Sequence, residues 1–185
     1  MIKFLKWFFI GIGVLILIGV IGFQWLTHNT KKHSPLDKVE YVESGERIAI
    51  DYCQPYKKGR DIFGNLVPHG KVWRTGANEP TTFLTSADIV INGKTLPAGD
   101  YTLWTIPNER EWEIMFNGKQ YDWGVGFNAE AAREPEHDVL VTKAPVQMLN
   151  DTIEQFTIDI TKKESMTLSL KWDDVLVELP MEWAK

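Results

Sequence analysis

The stretch that most constrains this chain is Trp7–Leu26, WFFIGIGVLILIGVIGFQWL, about 20 residues without a charge. At roughly 1.5 Å rise per residue, a helix of that length spans the hydrocarbon core of a bilayer. The apolar run exceeds the roughly 7–15 residues of a signal-peptide core, and no A-x-A-like cleavage site follows it. Trp7 and Trp25 stand where interfacial aromatic anchors belong. These features favour an uncleaved anchor over residues 1–27, whose expected partner is the lipid bilayer. The nearest cysteine, Cys53, is too far away for a lipoprotein anchor. Lys3 and Lys6 with the α-amino group outweigh Lys31 and Lys32 by a small margin, so the amino terminus is read as cytoplasmic. The expected location is the cytoplasmic (inner) membrane, single-pass, with the carboxyl-terminal domain outside the cytoplasm.

Residues 28–37 read as a polar linker, and residues 38–185 as one domain. After His33 the chain carries 16 basic against 25 acidic residues, a formal charge of −9. That charge opposes nucleic acid and anionic lipid, and no basic stripe exists to overcome it, so no nucleic-acid partner is expected. Cys53 is the sole cysteine and has no intramolecular disulfide partner; at the end of an apolar run it reads as a buried, inert thiol.

Short β-branched and aromatic runs separated by turn signals imply an all-β domain, an antiparallel β-sandwich of jelly-roll-like or Greek-key type. The expected strands are Val39–Glu43, Arg47–Cys53, Thr81–Thr85, Ile89–Ile91, Tyr101–Ile106, Glu111–Phe116, Asp138–Thr142, Glu154–Ile160, Met166–Trp172 and Val175–Leu179. Asn92-Gly93 predicts a type I′ hairpin turn, because both central positions need positive φ. One short helix is expected at Asn128–Arg133, with Asn128 as N-cap and Pro135 closing it.

Between Cys53 and Thr81 lies a connection too long for a plain turn and too apolar for a disordered linker, given Ile62, Phe63, Leu66, Val67, Val72 and Trp73. Such a loop folds onto the sheet and can carry function. Its candidate ligand-binding residues are Arg60, His69, Trp73, Arg74, Asn78 and Glu79. Two guanidiniums suit a carboxylate, a phosphate or sugar hydroxyls, and Trp73 suits a sugar face. The structural alternative is that the arginines pair with Asp61 or Glu79 and that Trp73 plugs the core. The stretch Asn117–Phe127, with Tyr121 and Trp123, is a second candidate cleft wall. No cofactor is expected, and no metal site is readable from the histidine spacing; a site from His69, His137 and Glu79 would have to assemble from distant strands. No nucleophile motif assigns a catalytic residue.

The runs GRDIFGNLVPHGKVWRTGANEPTTF, LPAGDYTLWTIP and WEIMFN resemble the bacterial domain-of-unknown-function family 2911, with Trp73–Glu79 the most distinctive segment. The resemblance covers roughly Ser44 to Leu170 and implies an envelope or secreted bacterial protein. It carries no activity across. Three readings follow: a domain binding a small anionic or carbohydrate-like ligand at the Arg60–Glu79 loop, an envelope assembly module meeting another protein, or a hydrolase using Glu79 or His69 with Arg74.

Overall fold

The computed structural model describes residues 2–126, 129–162 and 164–184, without the side chains of 2–5 and 26–29. It divides into two compact units, Met1–His33 and Ser34–Lys185. The first is helix α1, Ile2–His33. Its side chains from Lys6 to Trp25 are all exposed. By length and composition α1 could cross a membrane, a test that a signal sequence also passes. It runs through residues 28–33, the larger part of the expected polar linker. Pro35 bars the helical conformation at the residue before it, and β1 starts at Leu36.

The second unit contains β1 (Leu36–Glu43), β2 (Glu46–Cys53), β3 (Thr81–Thr85), β4 (Ile89–Ile91), β5 (Lys94–Leu96), β6 (Gly99–Ile106), β7 (Glu111–Asn117), β8 (Asp138–Lys162) and β9 (Met166–Trp183). They form one open antiparallel sheet in the order β1-β2-β3-β6-β7-β8-β9-β4-β5, not a barrel. The all-β antiparallel class matches the expectation. Asn92 and Gly93 have φ of 48° and 75° and turn β4 into β5, as their identities predict.

Four expected strands merge into two. Residues 138–145 of β8 pair with β7, and residues 146–162 pair with β9. Pro145 sits at the handover, where a missing N–H interrupts neither ladder. Strand β9 likewise continues past Asp173, whose φ of 56° marks an irregularity in the pairing.

This bending lets strands that are not neighbours in the sheet share a core. The Tyr52 hydroxyl on β2 accepts from Ile158 N on β8 at 2.9 Å, and the Tyr52 and Phe156 rings meet edge to face at 5.8 Å. Alternate residues of β2, β3 and β7 join those of β4, β8 and β9 in one apolar cluster. Strand β6 is buried on both faces: Tyr101 and Leu103 join that cluster, while Trp104 is fully buried against Tyr121.

The expected helix at Asn128–Arg133 is not formed over its described residues. Ala129 has φ of 61°, Val125 bridges Ala131, and Gly126 N donates to Glu130 O at 2.8 Å, so this is a tight β-like reversal. Six residues offer too few internal hydrogen bonds to repay helix nucleation. Asn128 itself lies outside the described residues.

Candidate functional site

The loop after β2 folds down as its apolar residues require. Lys58 and Gly59 take φ of 50° and 67°, making a turn that Arg60 closes by donating from Nε to Lys57 O at 2.9 Å and from its terminal nitrogen to Tyr56 O. Arg60 is exposed and spent on its own turn. Val67 N then donates to Ile62 O at 2.9 Å, closing a bulb that drives Ile62 and Val67 into the core.

His69 is exposed and lies against Gly64. Trp73 extends the sheet: its backbone exchanges hydrogen bonds with Thr105 of β6 at 2.7 and 3.0 Å. Its ring stacks on Trp172 at 6.0 Å and meets Phe156 at 4.9 Å, while Nε1 donates to Gly76 O at 3.0 Å. Trp73 is therefore the core plug that was its structural alternative.

After Trp73 the backbone tightens. Thr75 and Asn78 both hold positive φ, 56° and 59°, which costs on the order of 1–3 kcal/mol for each such residue. Thr81 Oγ1 anchors the turn by donating to Thr75 O at 2.6 Å. Gly76 packs so closely that a Cβ there would stand 2.9 Å from Cys53 O. The end of β2 and this turn thus become neighbours, and the Cys53 thiol donates to Glu79 Oε2 at 3.7 Å.

Over this turn lies the segment after β7. Gly124 N donates to Asn78 O at 3.1 Å, and a Cβ on Gly124 would fall 2.1 Å from Arg74 Cδ. Arg74 passes over a spot that only glycine leaves open. A cleft of about 160 Å³ opens between the two segments, walled by Leu66, Val72, Val125 and Ala131, with Lys71 and Arg74 as its charged residues and no carboxylate in its lining. Arg74 Nε and Asn78 Nδ2 are buried with no hydrogen-bond partner among the described residues. Asn78 is 7% exposed. Burial pulls the Arg74 guanidinium below its ordinary value, and the nearby Cys53 opposes that shift.

Of the six residues expected at the site, Trp73 and Arg74 line this cleft. Asn78 and Glu79 lie on the adjoining turn outside its lining, with Cys53 against Glu79. Arg60 and His69 do different work. Cys53 and Lys71 were not among the sequence candidates. The expected second wall, Asn117–Phe127, does contribute through Gly124 and Val125, with Phe127 outside the described residues.

His69, Glu79 and His137 are not gathered into a metal site. Among the described residues the cluster with ligand atoms in mutual reach is Glu134, Glu136 and His137, within 4.8 Å of one another on the 3-10 turn Pro135–His137. There Glu134 is already paired with Lys119 and His137.

Fold and site define a β-rich domain with a cationic cleft, preceded by one apolar helix. The family model described as "Protein of unknown function (DUF2911)" matches residues 34–181, and the chain belongs to that family. No curated protein and no solved structure matches it.

Proposed function

We propose that this protein is a membrane-tethered binding domain, held outside the cytoplasm by α1, that takes a small organic anion in the cleft beside Arg74. The observation that carries this reading is the buried donor Arg74 Nε, which has no partner among the described residues and belongs to a residue in the cleft lining. A buried N–H of a cationic group left without an acceptor is costly, and an anion arriving in the cleft would relieve that cost. Lys71 adds a second positive charge, and the aliphatic wall suits a short hydrocarbon body. Trp73 turns its ring into the core, which removes the aromatic face a sugar would stack on and narrows the ligand from carbohydrate-like to anionic. The hydrolase reading loses its support, since His69 lines a different cleft from Arg74 and Glu79 faces Cys53.

The test is thermal denaturation of the full chain in detergent micelles with short-chain carboxylates, inorganic phosphate and neutral sugars. Carboxylates are expected to raise Tm by mass action, and neutral sugars to leave it unchanged. Arg74→Met should remove the response without lowering the stability of the ligand-free protein, because methionine fills the space and removes an uncompensated buried charge. A variant that unfolds would make Arg74 structural, and one that keeps the full carboxylate response would place the ligand elsewhere.

A further inference from the structure

Strand β1 ends the sheet. Among the described residues it pairs β2 on one side and no strand on the other, and it is eight residues long, whereas β5 at the opposite end has three. Its register with β2 is unbroken from Leu36 to Glu43, without the proline or bulge that commonly keeps an edge from pairing. The ladder fixes which way each residue points. Gln54 N donates to Pro35 O at 2.8 Å, so by the antiparallel alternation Asp37, Val39, Tyr41 and Glu43 also turn their N–H and C=O groups to β2. Leu36, Lys38, Glu40 and Val42 turn theirs to the open edge, and their side chains share the exposed face.

An antiparallel strand docking here must meet those residues with outward groups of its own, a parity that removes every register shifted by a single residue. Two copies of β1 meet it about a twofold axis at Val39. Leu36 then faces Val42 of the second copy and Lys38 faces Glu40, so each exposed contact is apolar on apolar or cation on anion. The charges form a ladder of alternating sign, because Lys38 already holds Asp51 at 2.7 Å and Glu40 holds Arg47 at 2.9 Å. Sliding one strand by two residues sets Lys38 against Lys38, or in the other direction Glu40 against Glu40, and like charges directly opposite destabilise a strand pair. The overlap of residues 36–42 stops short of Glu43, which is taken by Lys162 and Trp183.

We infer that β1 is a self-association edge: two copies of this chain pair their β1 strands antiparallel about Val39 and join two nine-stranded sheets into one. The complementarity of Lys38 with Glu40 and of Leu36 with Val42 selects a second copy of β1 as the occupant and fixes its register. The inference is independent of the Arg74 cleft.

The experiment uses the full chain in micelles. At the twofold axis the two Val39 residues form a non-hydrogen-bonded pair with Cα atoms about 4.5 Å apart, within disulfide reach. Val39→Cys is expected to give a disulfide-linked dimer under mild oxidation. Leu36→Cys and Val42→Cys, each facing the other position and not itself, should give none, and the unaltered chain with its buried Cys53 is the control. Sedimentation equilibrium tests the charges. Lys38→Glu and Glu40→Lys each set like charges face to face and should weaken self-association by about tenfold or more. Mixed in equal amounts, the two variants face opposite charges again and should recover the association, which shows that neither had failed by unfolding. A dimer held by α1 alone would survive both single variants and form no Val39 disulfide. That outcome, an unaltered chain that stays monomeric, a disulfide formed equally at Leu36 or Val42, or a mixture that associates no more tightly than its components would overturn the inference.

Discussion

Tyr52 ties two distant parts of the sheet together through one oxygen. Its hydroxyl accepts from Gln54 Nε2 at 2.7 Å and from Ile158 N at 2.9 Å, and Asp37 Oδ2 lies 3.1 Å away as its acceptor. Burial, the largest cause, pushes the phenol from 10.0 up to about 12, because the ionised form would lose its hydration. The folded value is the higher one, so the stabilisation is full below pH 10 and is lost as pH rises toward 12, by on the order of 2 kcal/mol. Urea denaturation across that window is expected to show the fall, and Tyr52→Phe should remove Tyr52's share of it. The same variant should cost about 1–3 kcal/mol at neutral pH, since Ile158 N–H loses its acceptor. Gly124 is the counterpart at the cleft. Gly124→Ala puts a methyl group 2.1 Å from Arg74 Cδ, so the arginine must move. The expected outcome is loss of the carboxylate-induced rise in Tm, with a stability cost of about 1–3 kcal/mol by denaturant titration. A variant that retains the rise would separate Gly124 from the ligand site. That Arg74, Asn78 and Glu79 are neighbours was legible because they share six consecutive residues of one loop. The contact of Cys53 with Glu79 and that of Gly124 with Asn78 were not, since they are made across 26 and 46 positions.

At the scale of elements, the segment between β7 and β8 is held over the cleft by a latch at its far end. Arg133 pairs with Asp138, their side chains only 11% and 9% exposed, and Asn117 Nδ2 donates to the same carboxylate at 2.8 Å. Gly118 N donates to His137 O at 2.8 Å, closing the base of the loop. Asp138→Asn would leave Arg133 charged, buried and unmatched, with an expected loss of about 3–5 kcal/mol. Hydrogen exchange should show the loosening first in residues 118–126 and 129–134, because the strands beneath keep their ladders. Uniformly faster exchange would mean that the latch supports the whole domain and not this segment. The strands themselves were readable from their period-two faces, as at Trp112, Ile114 and Phe116. Their lengths were not. Pro145 and the polar stretch that follows look like a break between strands, yet Pro145 marks a change of partner within β8. The supposed helix failed for the converse reason: Ala, Glu and Arg favour helix, but closing the cleft needs Val125 and Ala131 paired.

For the molecule as a whole, the match to the family ends where the apolar helix begins. Residues 34–181 carry the family's pattern, and every member of the apolar core cluster lies after His33. The helical unit, taken by itself, exposes its described side chains from Lys6 to Trp25, a length and composition that suit a membrane span or a signal sequence. The tethered reading therefore makes a double prediction. A chain beginning at Ser34 should be soluble without detergent and unfold cooperatively, with the same carboxylate response as the full chain. The full chain should sediment with membranes, resist extraction by high salt, and show an intact mass that includes α1. High salt distinguishes the two sources of attachment, because it screens charge contacts within a few ångströms but does not weaken apolar insertion. Recovery of a shortened protein in the soluble fraction, its first residue lying beyond Leu26, would make the apolar stretch a cleaved signal. The binding domain would then act free of the membrane, with the Arg74 cleft unchanged.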